Sequence, residues 1–167
     1  MKRPTHRYLI ALGSNQRHVA FGSPDDIISA ALVKIAGHHI AVETASAVVH
    51  SRPLGPSLRE YANAAAIVRT ALEPPALLAL LHQVESRFGR RRLGQPWRAR
   101  TLDLDIVLWS GGCWADDALV IPHREMRNRA FVLRPAAAIA PRWRDPLTGL
   151  TLKHLLTRLT RRRAPLR

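Results

Sequence analysis

Two carboxylates and a run of arginines carry the chemistry available to this sequence. The segment Arg100-Thr101-Leu102-Asp103-Leu104-Asp105-Ile106-Val107-Leu108-Trp109 has the alternation of a strand. Side chains of a strand alternate between faces, which predicts Leu102, Leu104, Ile106 and Leu108 on one side and Asp103 and Asp105 on the other. Carboxylates at i and i+2 stand about 6–7 Å apart at Cα, near enough to converge on one or two cations. Oxygen donors alone suit magnesium, a hard ion usually held by one or two carboxylates together with substrate phosphates. A solvent-facing acidic stripe or a structural ion-pair network would give the same pattern. Arg90, Arg91, Arg92, Arg98 and Arg100 all precede the acidic pair, and magnesium with arginines is the equipment of phosphoryl transfer. Neither a GxxxxGK[ST] loop nor a GxGxxG turn after a strand occurs, and the protein-kinase signatures are missing.

The elements that must position these groups can be read from pattern and punctuation. Tyr8–Leu12 reads as a buried strand ending at the turn Gly13-Ser14-Asn15. Ser23-Pro24-Asp25-Asp26 starts a helix, with Ser23 as cap and proline in the first turn, running to about Gly37 and burying Ile27, Ala31 and Ile35. Ile40–His50 and Tyr61–Thr70 read as strands, separated by a proline-rich loop at 51–56. Pro74-Pro75 opens a second amphipathic helix through Leu77, Leu81, Val84 and Phe88. Leu102–Trp109 is the clearest strand, and Gly111-Gly112 turns out of it. Ile121-Pro122-His123, a short apolar run at Phe131–Leu133 and a helix near Leu152–Leu159 complete the chain. Hairpin-like pairs between two helices predict an α+β fold, a ferredoxin-like βαββαβ sandwich with a mostly antiparallel sheet and C-terminal additions. Residues 1–160 are expected to form a single domain, and 161–167 a frayed basic tail.

Composition bounds the partners. The chain has 167 residues, 26 basic against 12 acidic, for a net charge of +14. Only Lys2, Lys34 and Lys153 are lysines. Arginine clusters suit any phosphate-rich ligand, because the planar guanidinium binds phosphate oxygens through two donors. Charge alone leaves nucleic acid and nucleoside triphosphate both open. The lone cysteine, Cys113, excludes an internal disulfide framework or a cysteine zinc cluster. No apolar run approaches a membrane span, and the N-terminal apolar stretch is too short for a signal peptide. These features predict a cytoplasmic protein.

The motifs in order resemble one family. Leu12-Gly13-Ser14-Asn15, Pro53-Leu54-Gly55-Pro56, Tyr61-Ala62-Asn63-Ala64-Ala65 and Glu85 to Arg90 come first. Then follow Arg100-Thr101-Leu102-Asp103-Leu104-Asp105, Ile121-Pro122-His123, Arg129-Ala130-Phe131-Val132-Leu133-Arg134-Pro135 and Ile139-Ala140-Pro141. Their order is similar to that of 6-hydroxymethyl-7,8-dihydropterin pyrophosphokinase, over residues 8–145. The resemblance implies transfer of pyrophosphate from ATP to the pterin hydroxymethyl group, with release of AMP, in folate biosynthesis. It implies that Asp103 and Asp105 hold two magnesium ions, and that Arg90, Arg92 and Arg100 stabilise charge developing on the phosphates. His82, Glu85, Trp97, Ile106, His123 and Arg129 are implied on the ATP side. Ser51, Pro53, Leu54, Tyr61, Asn63 and Phe131 are implied around the pterin, with Tyr61 and Phe131 stacking and Asn63 bonding the ring edge.

The sequence departs from that pattern where Arg98-Ala99 follows Trp97 in place of the family's Gly-Pro, within the expected lid. A competing reading is a basic ferredoxin-like nucleic-acid-binding module, and another a paralogue acting on a modified pterin. The first is disfavoured by few aromatics and no RNP1-like strand, so nucleic acid is not an expected partner. ATP and the pterin are the expected small-molecule partners, with no membrane, and the protein is expected to be a monomer. His38 and His39, Cys113, Trp114 and Trp143 carry no expected role beyond helix-end electrostatics or packing.

Overall fold

The computed structural model describes residues 5–52, 60–89 and 101–161. Pro53, Leu54, Arg90, Arg92, Trp97 and Arg100, the Arg98-Ala99 pair and residues 162–167 lie outside the described residues. Among the described residues the order is β1 (His6–Ser14), α1 (Pro24–Ala36), β2 (Ala41–Ala45), β3 (Val49–Ser51), β4 (Tyr61–Thr70), α2 (Pro74–Arg87) and β5 (Asp103–Trp109). A small hairpin of β6 (Trp114–Ala115) and β7 (Val120–Ile121), a 3₁₀ turn at Met126–Asn128, α3 (Ala130–Ile139) and α4 (Leu152–Thr160) follow.

The main sheet is antiparallel in every pairing and runs β2-β4-β1-β5, with β3 also on β4. Helices α1 and α2 cover one face, where Tyr8, Ile10, Leu12, Leu104 and Ile106 meet Ile27, Ile35, Leu77 and Leu81. Helices α3 and α4 cover the other, over Leu9, Ala65, Ile67, Val107 and Leu108. The expected mixed architecture with an antiparallel sheet is met. The expected C-terminal additions supply α3 and α4, which form a third layer on the sheet's second face.

Local chemistry explains the boundaries. At the start of α1 the Ser23 hydroxyl accepts from the Asp26 N–H at 3.3 Å, and the Asp26 carboxylate accepts from the Ser23 N–H at 2.9 Å. This reciprocal cap satisfies donors that a helix start leaves open. Three expectations need correction. Gly13 and Ser14 do not form a turn; they are the last residues of β1, paired on β4, with Gly13 also paired on β5. The strand expected over 40–50 is two strands, because the backbone leaves the ladder at 46–48 while Ser46 bonds Ala65. Leu108 does not share a face with Leu102, Leu104 and Ile106. The register shifts between Leu9 and Ile10, which pair with Leu108 and Ile106, so Val107 is an extra residue in β5. Such a bulge reverses the alternation beyond it, and Leu108 joins Val107 in the core beneath α3 and α4. The Phe131–Leu133 run is the first turn of α3.

β5 is an edge strand, and its open side is met by α2. The Glu85 carboxylate, almost fully buried at the end of that helix, accepts from the Leu104 N–H at 2.8 Å. An edge N–H that is buried without a partner costs about 1–3 kcal/mol. Glu85→Ala is therefore expected to lower stability by about that much, read as a fall in the thermal midpoint. An unchanged midpoint would show that the Leu104 N–H finds another acceptor.

Candidate active site

The candidate site lies on the α3/α4 side of the sheet, where β1 passes between β4 and β5. Gly13 pairs with Asn63 on one side and Asp103 on the other. Two residues along, Ala11 pairs with Ala65 and Asp105. The central strand thus contributes only a glycine and an alanine, while its neighbours contribute an amide and two carboxylates. A Cβ placed on Gly13 would stand 3.8 Å from Asn63 Oδ1 and 4.0 Å from Asp103 Cβ. Asn63 and Asp103 therefore flank the same shallow floor. From sequence Gly13 reads as part of a turn and is not singled out; its pairing on both sides is what brings its open backbone between Asn63 and Asp103.

Asn63 is nearly buried, and its amide is oriented by the sheet edge. Nδ2 donates to Ser51 Oγ at 2.9 Å, Tyr61 O at 3.1 Å and Val49 O at 3.3 Å. Two of these acceptors are carbonyls, which fixes the amino group on that side. The remaining acceptor, Oδ1, faces Gly13. Ser51 and Tyr61 are register partners beside it. Ser51 is thus brought into the site through Asn63.

The carboxylate end is assembled from more distant pieces. The β6–β7 hairpin returns the chain to β5, where the His123 N–H donates to Val107 O at 3.0 Å. This sets His123 Nε2 at 3.9 Å from Asp105 Oδ2. Asp103 and Asp105 are both partly exposed, and each has further partners. Among the described residues no group of three metal-ligating side chains occurs. Two carboxylates on one strand face fit a hard cation whose other ligands come from a bound phosphate and water.

The remaining residues divide between the two sides of the sheet. His82 and Glu85 lie on α2, which covers the opposite face of the sheet, and the buried Glu85 carboxylate is engaged with β5. Ile106 has its side chain in the first core, so only its backbone can face a ligand. Arg129 caps α3, with its guanidinium 5.8 Å from the centre of the Phe131 ring. Phe131 is half-buried on the second core. It makes no ring contact with Tyr61 among the described residues. Trp114 packs on the first core and Trp143 on the second, as expected, and Cys113 is exposed.

Comparison with known proteins bears on this geometry. The family model for 7,8-dihydro-6-hydroxymethylpterin-pyrophosphokinase (HPPK) matches residues 9–141. A 2-amino-4-hydroxy-6-hydroxymethyldihydropteridine pyrophosphokinase of Synechocystis sp. is 40% identical over 151 residues, covering 90% of this chain and 75% of that protein. The enzyme of that name from Haemophilus influenzae is 41% identical over 133 residues, covering 78% of this chain and 79% of the relative. Among solved structures, a Plasmodium falciparum HPPK-DHPS superposes with a TM-score of 0.71 at 11% identity, over 94% of this chain. This chain spans 46% of that longer one, and the likeness concerns the fold.

Because a methyl group at Gly13 meets only ordinary van der Waals neighbours, Gly13→Ala is expected to fold with a thermal midpoint close to wild type. It raises the floor between Asn63 and Asp103, so the loss should appear in ligand affinity. A large fall in the midpoint would instead mark Gly13 as a backbone requirement of β1.

Proposed function

The chain belongs to the 7,8-dihydro-6-hydroxymethylpterin-pyrophosphokinase family, and from that premise we propose which of its residues do the work. The activity is transfer of pyrophosphate from ATP to the hydroxymethyl group of 6-hydroxymethyl-7,8-dihydropterin, giving AMP and the pterin diphosphate in folate biosynthesis. The reading of the site is carried by one observation: the row Asn63–Gly13–Asp103 across three strands, with Asp105 and His123 one step away.

The pterin is placed at the Asn63 end. Its ring is a flat heterocycle edged by N–H donors and acceptors, and Asn63 Oδ1 accepts from such a donor while the sheet holds the amide still. Tyr61 and Phe131 clamp its faces; two rings that receive a third between them must stand about 7 Å apart, in keeping with their lack of direct contact. Ser51 lies beside Asn63 on that side, and the resemblance to the family assigns Pro53 and Leu54 to the pterin as well. Gly13 leaves room for the hydroxymethyl group to lie between Asn63 and the carboxylates.

The nucleotide is placed at the β5 edge. Asp103 and Asp105 would hold magnesium, read here as two ions, which when bound offsets phosphate charge and orients the triphosphate. His123 and Arg129 bind phosphate oxygens, and His82, Glu85 and the Ile106 backbone lie on the nucleotide side of β5. The resemblance to the family assigns Arg90, Arg92 and Arg100 to charge developing in the transition state and Trp97 to the exclusion of water. The strand order and all-antiparallel pairing support a ferredoxin-like βαββαβ plan, with residues 1–160 as one domain. No helix among the described residues is long and apolar enough to cross a membrane.

Product analysis tests the reading: incubation with ATP, magnesium and the hydroxymethyl dihydropterin should yield AMP and pterin diphosphate in equal amounts. Asp103→Ala and Asp105→Ala should each fold normally and lose on the order of 10²–10³-fold in kcat, as expected when a few kcal/mol of charge stabilisation is removed. Near-wild-type turnover of either variant at saturating magnesium would remove that carboxylate from the mechanism. ADP in place of AMP would overturn pyrophosphate transfer itself.

A further inference from the structure

Within the segment that carries His123 and Arg129, one arginine is committed to the loop between α3 and α4. Arg127 donates from Nε to Asp145 Oδ2 and from Nη2 to Asp145 Oδ1, both at 2.7 Å. Asp145 is fully buried in the loop between α3 and α4. Its carboxylate also accepts from Thr148 Oγ1 at 2.7 Å and from the Leu147 N–H at 3.1 Å. Backbone bonds from Asp145 N–H to Leu150 O and from Gly149 N–H to Asp145 O close the same loop, with Gly149 at φ 69°. Burial alone would favour the protonated acid, but the bonds from Arg127, Thr148 and Leu147 outweigh it and hold the carboxyl below its ordinary range. The pair is ionised at neutral pH, and both donors of the Arg127 fork that face the loop are committed to it.

The connected geometry is what matters. The segment is tied to β5 by the His123 N–H and to the second core by the buried Met126. Arg127 supplies a third tie, in the 3₁₀ turn that ends at Arg129. The Arg129 carbonyl then accepts from the Val132 and Leu133 N–H groups and so fixes the start of α3. Two ties allow a short turn to pivot; a third, two-point tie at its centre stops that rotation. His123 and Arg129 flank the turn, so a pivot would change their separation and direction together.

We infer that the Arg127–Asp145 pair is a positioning device for the nucleotide side of the site, setting His123 and Arg129 relative to the carboxylates without itself touching a ligand. The inference rests on the assignment of His123 and Arg129 to ATP made above. A pair that served stability alone would lower the thermal midpoint and leave ATP affinity where it was.

The test removes the pair without stranding a charge, since a lone buried ion would unfold the loop for unrelated reasons. The double variant Arg127→Met with Asp145→Asn does this, and Arg127→Lys keeps the charge while giving up the two-point contact. Magnesium–ATP affinity is measured by calorimetry without pterin, pterin affinity without nucleotide, and KM and kcat in the full reaction. The double variant should weaken ATP binding and raise the ATP KM about 10-fold, as misplacing a binding group by a fraction of an ångström does. Arg127→Lys should fall between the double variant and wild type, and pterin affinity should stay within about twofold throughout. Unchanged ATP affinity with a lowered thermal midpoint would overturn the inference, as would equal losses for ATP and pterin. If the double variant does not fold, Arg127→Lys decides by the same comparison. A wild type that binds magnesium–ATP yet releases no AMP with the pterin would refute the proposed reaction and leave this comparison readable.

Discussion

The register of β1 between β4 and β5 is the constraint on which the site depends. Residues on neighbouring strands can meet over a central strand only if both ladders place them on the same face at the same level, and a slip of one residue in either would send Asn63 or Asp103 to the opposite side. Here both ladders meet at Gly13, the residue with no side chain to intervene. Apolar packing enforces the register. Tyr8, Ile10 and Leu12 face one core and Leu9 the other, so a slip of one residue would exchange side chains between two cores shaped for different ones.

The bulge at Val107 makes a second use of the same strand. Before it, β5 alternates so that Leu104 and Ile106 enter the first core and the two aspartates face the site. After it, Val107 and Leu108 enter the second core, beneath α3 and α4. One extra residue lets a single edge strand carry two carboxylates at one end and anchor the third layer at the other. That layer carries Arg129 and Phe131, and the Val107 carbonyl receives His123. The groups opposite the carboxylates are thus positioned by the element that follows them in the chain.

Charge is arranged more sparingly than the total suggests. Arg7 and Arg69 are direct cross-strand partners, which would repel, and Glu43 lies between them, accepting from Arg7 at 2.7 Å and from Arg69 at 3.0 Å. Arg127 is taken up by Asp145. These arginines are structural, and the excess that could meet phosphates lies elsewhere. The acidic pair at 103 and 105 contrasts with an otherwise basic chain, and the proposed binding of magnesium with a polyphosphate draws on that contrast.

Much of this is legible in the sequence, where the determinants are local. The Ser23 cap, the proline start of α2, the span of β4 and the shared face of Asp103 and Asp105 follow from nearest-neighbour sterics, hydrogen-bonding chemistry and two-residue periodicity. The motifs that resemble the family also single out Asn63, His123, Arg129 and Phe131, and the structure sets Asn63 beside Gly13 and His123 near Asp105. What the tertiary structure alone decided is non-local. No pattern in 6–14 says that Gly13 is paired on both sides; its position after an apolar run reads equally well as a turn. The bulge at Val107 arises from matching β5 to β1, so Leu108 could not be placed from β5's own alternation. Arg127 and Asp145 are 18 residues apart with a helix between them, and in so arginine-rich a stretch their pairing has no sequence signature. Local rules settle what each segment becomes; which faces and charges meet is settled only when the layers close on one another.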